Sequence, residues 1–145
     1  MQFTDKEIDL AKQLQGAGLK WVPKIGDFYI YDVKGNRYNL VTGIDYDHGD
    51  KGWIYVRSPS DGLRNINGLC WLPLWHQVRS FLKKHSLELT ISDVPRGTDV
   101  TLTLWKRCLE GGIEFYTQIV ANTDLEAMYQ VLLEALKNKG RAFLF

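Results

Sequence analysis

The chain has 145 residues, 45% of them apolar and 24% charged, and its formal net charge is +1. Such a length and composition predict one globular domain, or two small halves sharing a core, and argue against disorder. Residues 1–85 hold 12 basic and 9 acidic side chains and residues 86–145 hold 6 and 8, so the halves carry +3 and −2; this is too mild to favour nucleic acid or an anionic membrane as a partner.

The opening residues MQFTDKEIDLAKQL are charged throughout and contain no apolar stretch of the kind a secretory leader needs. No uncharged apolar run approaches the ~20 residues that span a bilayer. Cys70 and Cys108 have neither CxxC nor Cys/His metal spacing. Two cysteines without a leader predict reduced thiols and a cytoplasmic protein.

In chain order, Thr4-Asp5-Lys6-Glu7 reads as a capping box, followed by a helix that buries Ile8, Ala11 and Leu14 and ends at Gly16 or Gly18. Trp21-Val22-Pro23 leads into an aromatic strand, Phe28 to Tyr31. After a turn at 34–37, Tyr38 to Thr42 is a second strand, and Trp53 to Arg57 a third. The Ser-Pro, Asp-Gly and Asn-Gly pairs of Ser58 to Gly68 predict the longest irregular stretch of the chain. Pro73 suits the first turn of a helix. Stepped at about 100° per residue, Leu74, Trp75, Val78, Phe81 and Leu82 form one apolar stripe. Lys83, Lys84 and His85 close that helix.

The second half alternates cleanly. Leu87, Leu89 and Ile91 interleave with polar residues, a turn follows at Pro95-Arg96-Gly97, and Val100, Leu102 and Leu104 alternate in turn. A tight turn at Gly111-Gly112 predicts a hairpin pairing Cys108 with Phe115, Leu104 with Ile119 and Leu102 with Ala121. The same register puts Arg107 beside Tyr116 and Trp105 beside Gln118 on the opposite face. Thr123-Asp124-Leu125-Glu126 is a second capping box and opens the last helix. The expected fold is α+β, with antiparallel strands and three helices in the order α-β-β-β-α (1–85) then β-β-β-α (86–145), the two halves packed together.

Chemistry-bearing residues are sparse. In the stretch Cys70 to Val78 (CWLPLWHQV), a nucleophilic cysteine would need His76 within hydrogen-bond reach. The helix projection turns His76 away from the stripe, so Cys70 is read as a buried inert thiol. The acidic loop Asp45 to Gly52, with His48, fails the calcium-loop pattern and reads as a polar hairpin loop. No phosphate-binding glycine loop, nucleophile elbow or zinc set is present. The expectation is therefore no catalytic residue, no metal and no cofactor.

Trp105, Arg107 and Tyr116 share one face of the C-terminal hairpin and make a candidate binding surface. The competing reading covers this face within the fold, as chains of this length tend to do, and is the expected one. A rival reading is an enzyme or small-ligand binder with a pocket between the halves, which combines Trp71, Trp75 and His85 with Asp61 and Arg64 of the 58–68 loop. Lys20, Lys24, Arg37 and Arg57 would carry nucleic-acid binding, the least favoured reading.

LKWVPKIGDFY (Leu19 to Tyr29) and CWLPLWHQV resemble the paired Trp-x-Pro-x-x-Gly-Asp and Trp-Leu-Pro signatures of small uncharacterised proteins from Gram-positive bacteria and their phages. The resemblance covers residues 19–85. It implies a phage or mobile-element origin but attaches no activity and no site residue. The C-terminal VANTDLEAMYQVLLEAL loosely resembles an antitoxin-like helix-over-hairpin arrangement, generic to many α+β proteins. Together these readings predict a small non-enzymatic protein that binds an unknown macromolecule, with a second copy of itself as one option and no membrane partner.

Overall fold

The computed structural model describes residues 2–31, 38–46, 53–85, 87–93, 100–107 and 111–138. Among these residues the fold is α+β: three α-helices and three separate antiparallel sheets of three strands each. The turns expected at 34–37 and 95–97, Arg37, most of the acidic loop with His48, and Cys108 lie outside the described residues. The chain divides into two compact units, 1–15 with 20–73 and 16–19 with 74–145. The second helix thus groups with the C-terminal unit, whereas the sequence reading placed it in the first.

The first unit opens with α1 (Asp5–Gly16). The expected capping box is present: the Thr4 N–H donates to Glu7 Oε1 at 2.9 Å and the Glu7 N–H to Thr4 Oγ1 at 3.1 Å. Ile8, Ala11 and Leu14 are buried as their spacing predicts. Six short strands follow. β1 (Phe28–Tyr31) pairs with β2 (Tyr38–Leu40) and β6 (Leu69–Leu72), and β3 (Gly43–Tyr46) and β5 (Gly62–Asn65) flank β4 (Ile54–Ser58). Tyr29, Val41, Val56 and Leu69 make a core against which Trp21, Tyr31, Ile44 and Ile66 pack.

Two expectations for this unit are corrected. The 58–68 segment is not irregular: residues 59–61 are a tight turn, and the chain returns at once as β5 before a 3-10 turn at Ile66–Gly68. The turn signals there close a hairpin. The Asp61 N–H donates to Ser58 Oγ at 3.0 Å and Gly62 takes φ +73°, which favours glycine. The stretch 38–42 also does not run as one strand. It breaks at Val41, whose N–H donates to the Asp27 carbonyl and whose carbonyl accepts from Gly26.

Those bonds belong to a clamp built by the Trp-x-Pro-x-x-Gly-Asp stretch. The Asp27 carboxylate is buried and accepts from the Trp21 indole at 2.8 Å and the Lys24 N–H at 2.9 Å. Gly26, at φ +98°, lets the chain turn tightly enough for the carboxylate to reach back. The Trp21 ring in turn lies 6.0 Å from that of Tyr29.

In the second unit, α2 (Trp75–Lys84) starts later than expected. Pro73 precedes the cap residue Leu74, whose N–H donates to the Gln77 side chain at 2.7 Å. Gln77, three residues past the cap, thus makes one half of a capping box, and Leu74 has no side-chain oxygen to make the other. Val78 and Leu82 are buried, and Leu74, Trp75 and Phe81 are half-buried. β7 (Glu88–Asp93), β8 (Val100–Arg107) and β9 (Ile113–Ala121) form the third sheet, and α3 (Asp124–Lys137) packs on β8 and β9. The α3 cap is as read: the Glu126 N–H donates to Thr123 Oγ1 at 3.0 Å.

The hairpin register differs from the expected one by two residues. Leu104 lies opposite Thr117, Leu102 opposite Ile119 and Trp105 opposite Tyr116. Among the described residues the ladder begins at Arg107–Ile113 and shifts between Lys106 and Arg107, where Phe115 and Ile113 are the successive partners. Gly111 takes φ +94°. A slip of two changes neighbours but not faces, so the inward and outward sets survive the error.

The clamp gives a stability prediction. Asp27→Ala leaves the indole N–H of half-buried Trp21 and a loop amide without this acceptor, so it is expected to lower unfolding stability by about 2 kcal/mol. Urea unfolding followed by tryptophan fluorescence measures this; a loss below about 0.5 kcal/mol, the range of an ordinary surface change, contradicts the clamp.

Candidate interaction surface

Alternation on the third sheet sorts its side chains in two. The inner face carries Leu89, Leu102, Leu104, Phe115, Ile119 and Ala121; of these Leu102, Leu104, Phe115 and Ala121 are buried. The outer face carries Glu88 and Thr90 from β7, Thr101, Thr103, Trp105 and Arg107 from β8, and Tyr116, Gln118 and Val120 from β9. On this face Tyr116 and Val120 are 57% and 58% exposed, Arg107 and Gln118 are exposed too, and Thr101 is buried. Trp105 is half-buried between Glu88 on one side and Tyr116 on the other. The Arg107 guanidinium stands 4.7 Å from the Trp105 ring centroid, a cation–π arrangement that holds both side chains in place. The three residues singled out from sequence are thus neighbours on one open face. Val120 and Ile113, also exposed, were not singled out; the register of β9 was needed to place Val120 on that face.

The residues of the expected ligand pocket are divided between the two units. In the first, Asp61 and Arg64 form an ion pair, Arg64 Nη2 to Asp61 Oδ1 at 3.0 Å, with Arg64 Nε 3.1 and 3.2 Å from the two carboxylate oxygens. The Arg64 guanidinium lies 4.0 Å from the Tyr31 ring centroid. The Tyr29 hydroxyl donates to Asp61 Oδ2 at 3.0 Å and lies 3.1 Å from Ser58 Oγ. Burial pushes the Tyr29 phenol above its ordinary value; the Ser58 hydrogen bond opposes this and Asp61 adds to it. This network ties the β4–β5 turn to β1. Trp71 lies opposite Tyr29 in the β1–β6 register, and its buried indole N–H has no hydrogen-bond partner among the described residues.

In the second unit, Trp75 and His85 sit ten residues apart on and just beyond α2, about 15 Å along the helix axis. Trp75 has Arg79 5.2 Å from its ring centroid, and His85 lies 4.7 Å from Phe81. A groove of about 470 Å³ lies between α2 (Arg79, Ser80, Lys83) and β7 (Glu88, Leu89), and none of the five expected pocket residues lines it.

Cys70 is buried in β6, with Sγ 3.7 Å from the Trp71 carbonyl, and His76 is exposed on α2. The expected burial of Cys70 and exposure of His76 are both present. Of the acidic loop only Asp45 and Tyr46 are described, and Asp45 is paired with Arg57 at 2.7 Å. That pairing removes one of the four cations the nucleic-acid reading relied on; Lys20 and Lys24 are exposed. Among the described residues no helix is long and apolar enough to cross a membrane. Compared with protein-family models, curated proteins and solved structures, the chain matches none.

His85 offers a pH-dependent readout of the second unit. Burial, and then the charges of Lys84 and Lys106, hold its imidazole below the ordinary value of 6.5. The unfolded chain then binds a proton more readily than the folded one. The histidine's contribution to stability is complete above pH ~6.5 and is lost as pH falls through the folded value. His85→Gln is expected to flatten that part of the stability profile, and an NMR titration of the His85 ring should show its midpoint below that of a model peptide. A midpoint at or above the peptide's contradicts the placement of His85 beside Lys106.

Proposed function

We propose that this chain acts by binding another macromolecule rather than by catalysing a reaction, and that the outer face of β7, β8 and β9 is the surface it uses. The observation that carries this reading is the open cluster of Tyr116 and Arg107 beside Trp105. Tyrosine, tryptophan and arginine dominate the energetics of protein interfaces because they combine large contact area with a polar end. Strands are a good mount for them. Their backbone is already fixed, so docking costs less conformational entropy than it would on a loop. The cation–π contact further restricts Trp105 and Arg107 before any partner arrives.

A photoreactive phenylalanine analogue in place of Tyr116 is expected to give covalent adducts in cells, while the same analogue in place of the exposed Gln13 on α1 does not. Arg107→Ala in the first background should reduce the adduct yield several-fold without moving the melting temperature by more than about 2 °C. Equal yields at both positions, or no effect of Arg107→Ala, contradict the assignment.

A further inference from the structure

We propose that β9 pairs edge-to-edge with β9 of a second copy of this chain, joining the two C-terminal sheets into one six-stranded antiparallel sheet. The inference deepens the binding reading above and rests on it, since β9 forms the rim of the face described there.

Among the described residues β9 pairs with β8 alone, so its other edge presents unpaired N–H and C=O groups. Natural sheets guard such edges with charge, proline, bulges or short length. Here the register shift opposite Lys106/Arg107 marks off the start of β9, and the uninterrupted remainder is Phe115-Tyr116-Thr117-Gln118-Ile119-Val120-Ala121. Those seven residues include no charge, no proline and no glycine. They extend about 24 Å, longer than the strands of most guarded edges.

The sequence of this segment is complementary to itself. A two-fold axis perpendicular to the sheet keeps each face on its own side, so only residues of like parity can lie opposite one another. Centring the axis on Gln118 pairs all seven residues. Gln118 then faces Gln118 of the partner subunit, where two side-chain amides can exchange hydrogen bonds. Tyr116 lies opposite Val120 of the partner subunit, and by symmetry Val120 opposite Tyr116 of the partner subunit. The two exposed apolar side chains of the segment are thereby matched as aromatic–β-branched pairs, twice. On the inner face Phe115 meets Ala121 of the partner subunit and Thr117 meets Ile119 of the partner subunit, extending the layer that α3 covers. Glu114, the one charge of β9, falls outside the paired segment. A chain net charge of +1 adds little repulsion between copies.

The test uses the full chain and sedimentation equilibrium. The wild type is expected to run at twice the 16.7 kDa chain mass. Gln118→Lys and Gln118→Glu each set like charges opposite one another at the axis, and each is expected to weaken the dimer about tenfold. An equimolar mixture of the two should recover wild-type association as a heterodimer, because the axis then holds one lysine opposite one glutamate. A wild type that stays monomeric up to about 1 mM overturns the proposal, as does a dimer indifferent to both substitutions or a mixture that associates no better than its components. A monomer whose Tyr116 position still yields adducts to other molecules refutes the second-copy partner and leaves the binding face standing. A dimer of the expected charge dependence, with Arg107→Ala silent in the adduct assay, does the reverse.

Discussion

The C-terminal unit depends on one constraint, the two-residue period of β8 and β9 beneath α3. Leu102, Leu104, Phe115 and Ala121 must lie against the helix to leave water, and α3 is itself buried along most of its length. Full burial of each large side chain contributes about 2 kcal/mol, so the phase of the strands cannot slip by one residue. Trp105, Arg107, Tyr116 and Val120 are turned outward as a consequence. The face proposed for binding is thus the reverse side of a packing requirement, and its position is as rigid as the core beneath it.

A different interaction organises the first unit. The Asp27 carboxylate gathers the Trp21 indole and the Lys24 amide, and the adjacent backbone holds Val41 between β2 and β3. A second carboxylate, Asp61, does similar work at the β4–β5 turn through Tyr29 and Arg64. Both carboxylates are surrounded by donors that belong to the fold. They hold short strands together where there is little area to bury, which is how a small unit of three- to five-residue strands keeps its register.

Much of this was legible in the sequence where periodicity was long. The α1 capping box, the stripe of α2, the alternation of β7 and β8 and the Thr123 cap all read directly from residue spacing. The 58–68 segment did not, because Ser-Pro, Asp-Gly and Asn-Gly signal a change of direction without stating how soon pairing resumes. The hairpin register failed for a related reason: Gly111-Gly112 marks a turn, but neither the start of the ladder nor its one-residue shift at Lys106/Arg107 can be read from that pair. Local spacing also does not show that Asp61 and Trp71 belong to one compact unit and Trp75 and His85 to another. The Trp105–Arg107–Tyr116 cluster was found from alternation alone. Length and composition speak to how much surface is buried, not which, so the exposure of Tyr116 and Val120 was not legible there.

The most direct measurement is a set of backbone NMR spectra recorded from dilute to concentrated protein. The account predicts that the amide resonances of Phe115 to Ala121 move with concentration, together with those of Trp105 and Arg107 on the adjoining face, while those of Arg79 to Lys83 along the α2 groove stay fixed. Shifts confined to the groove, or a β9 strand whose resonances do not move, would contradict it.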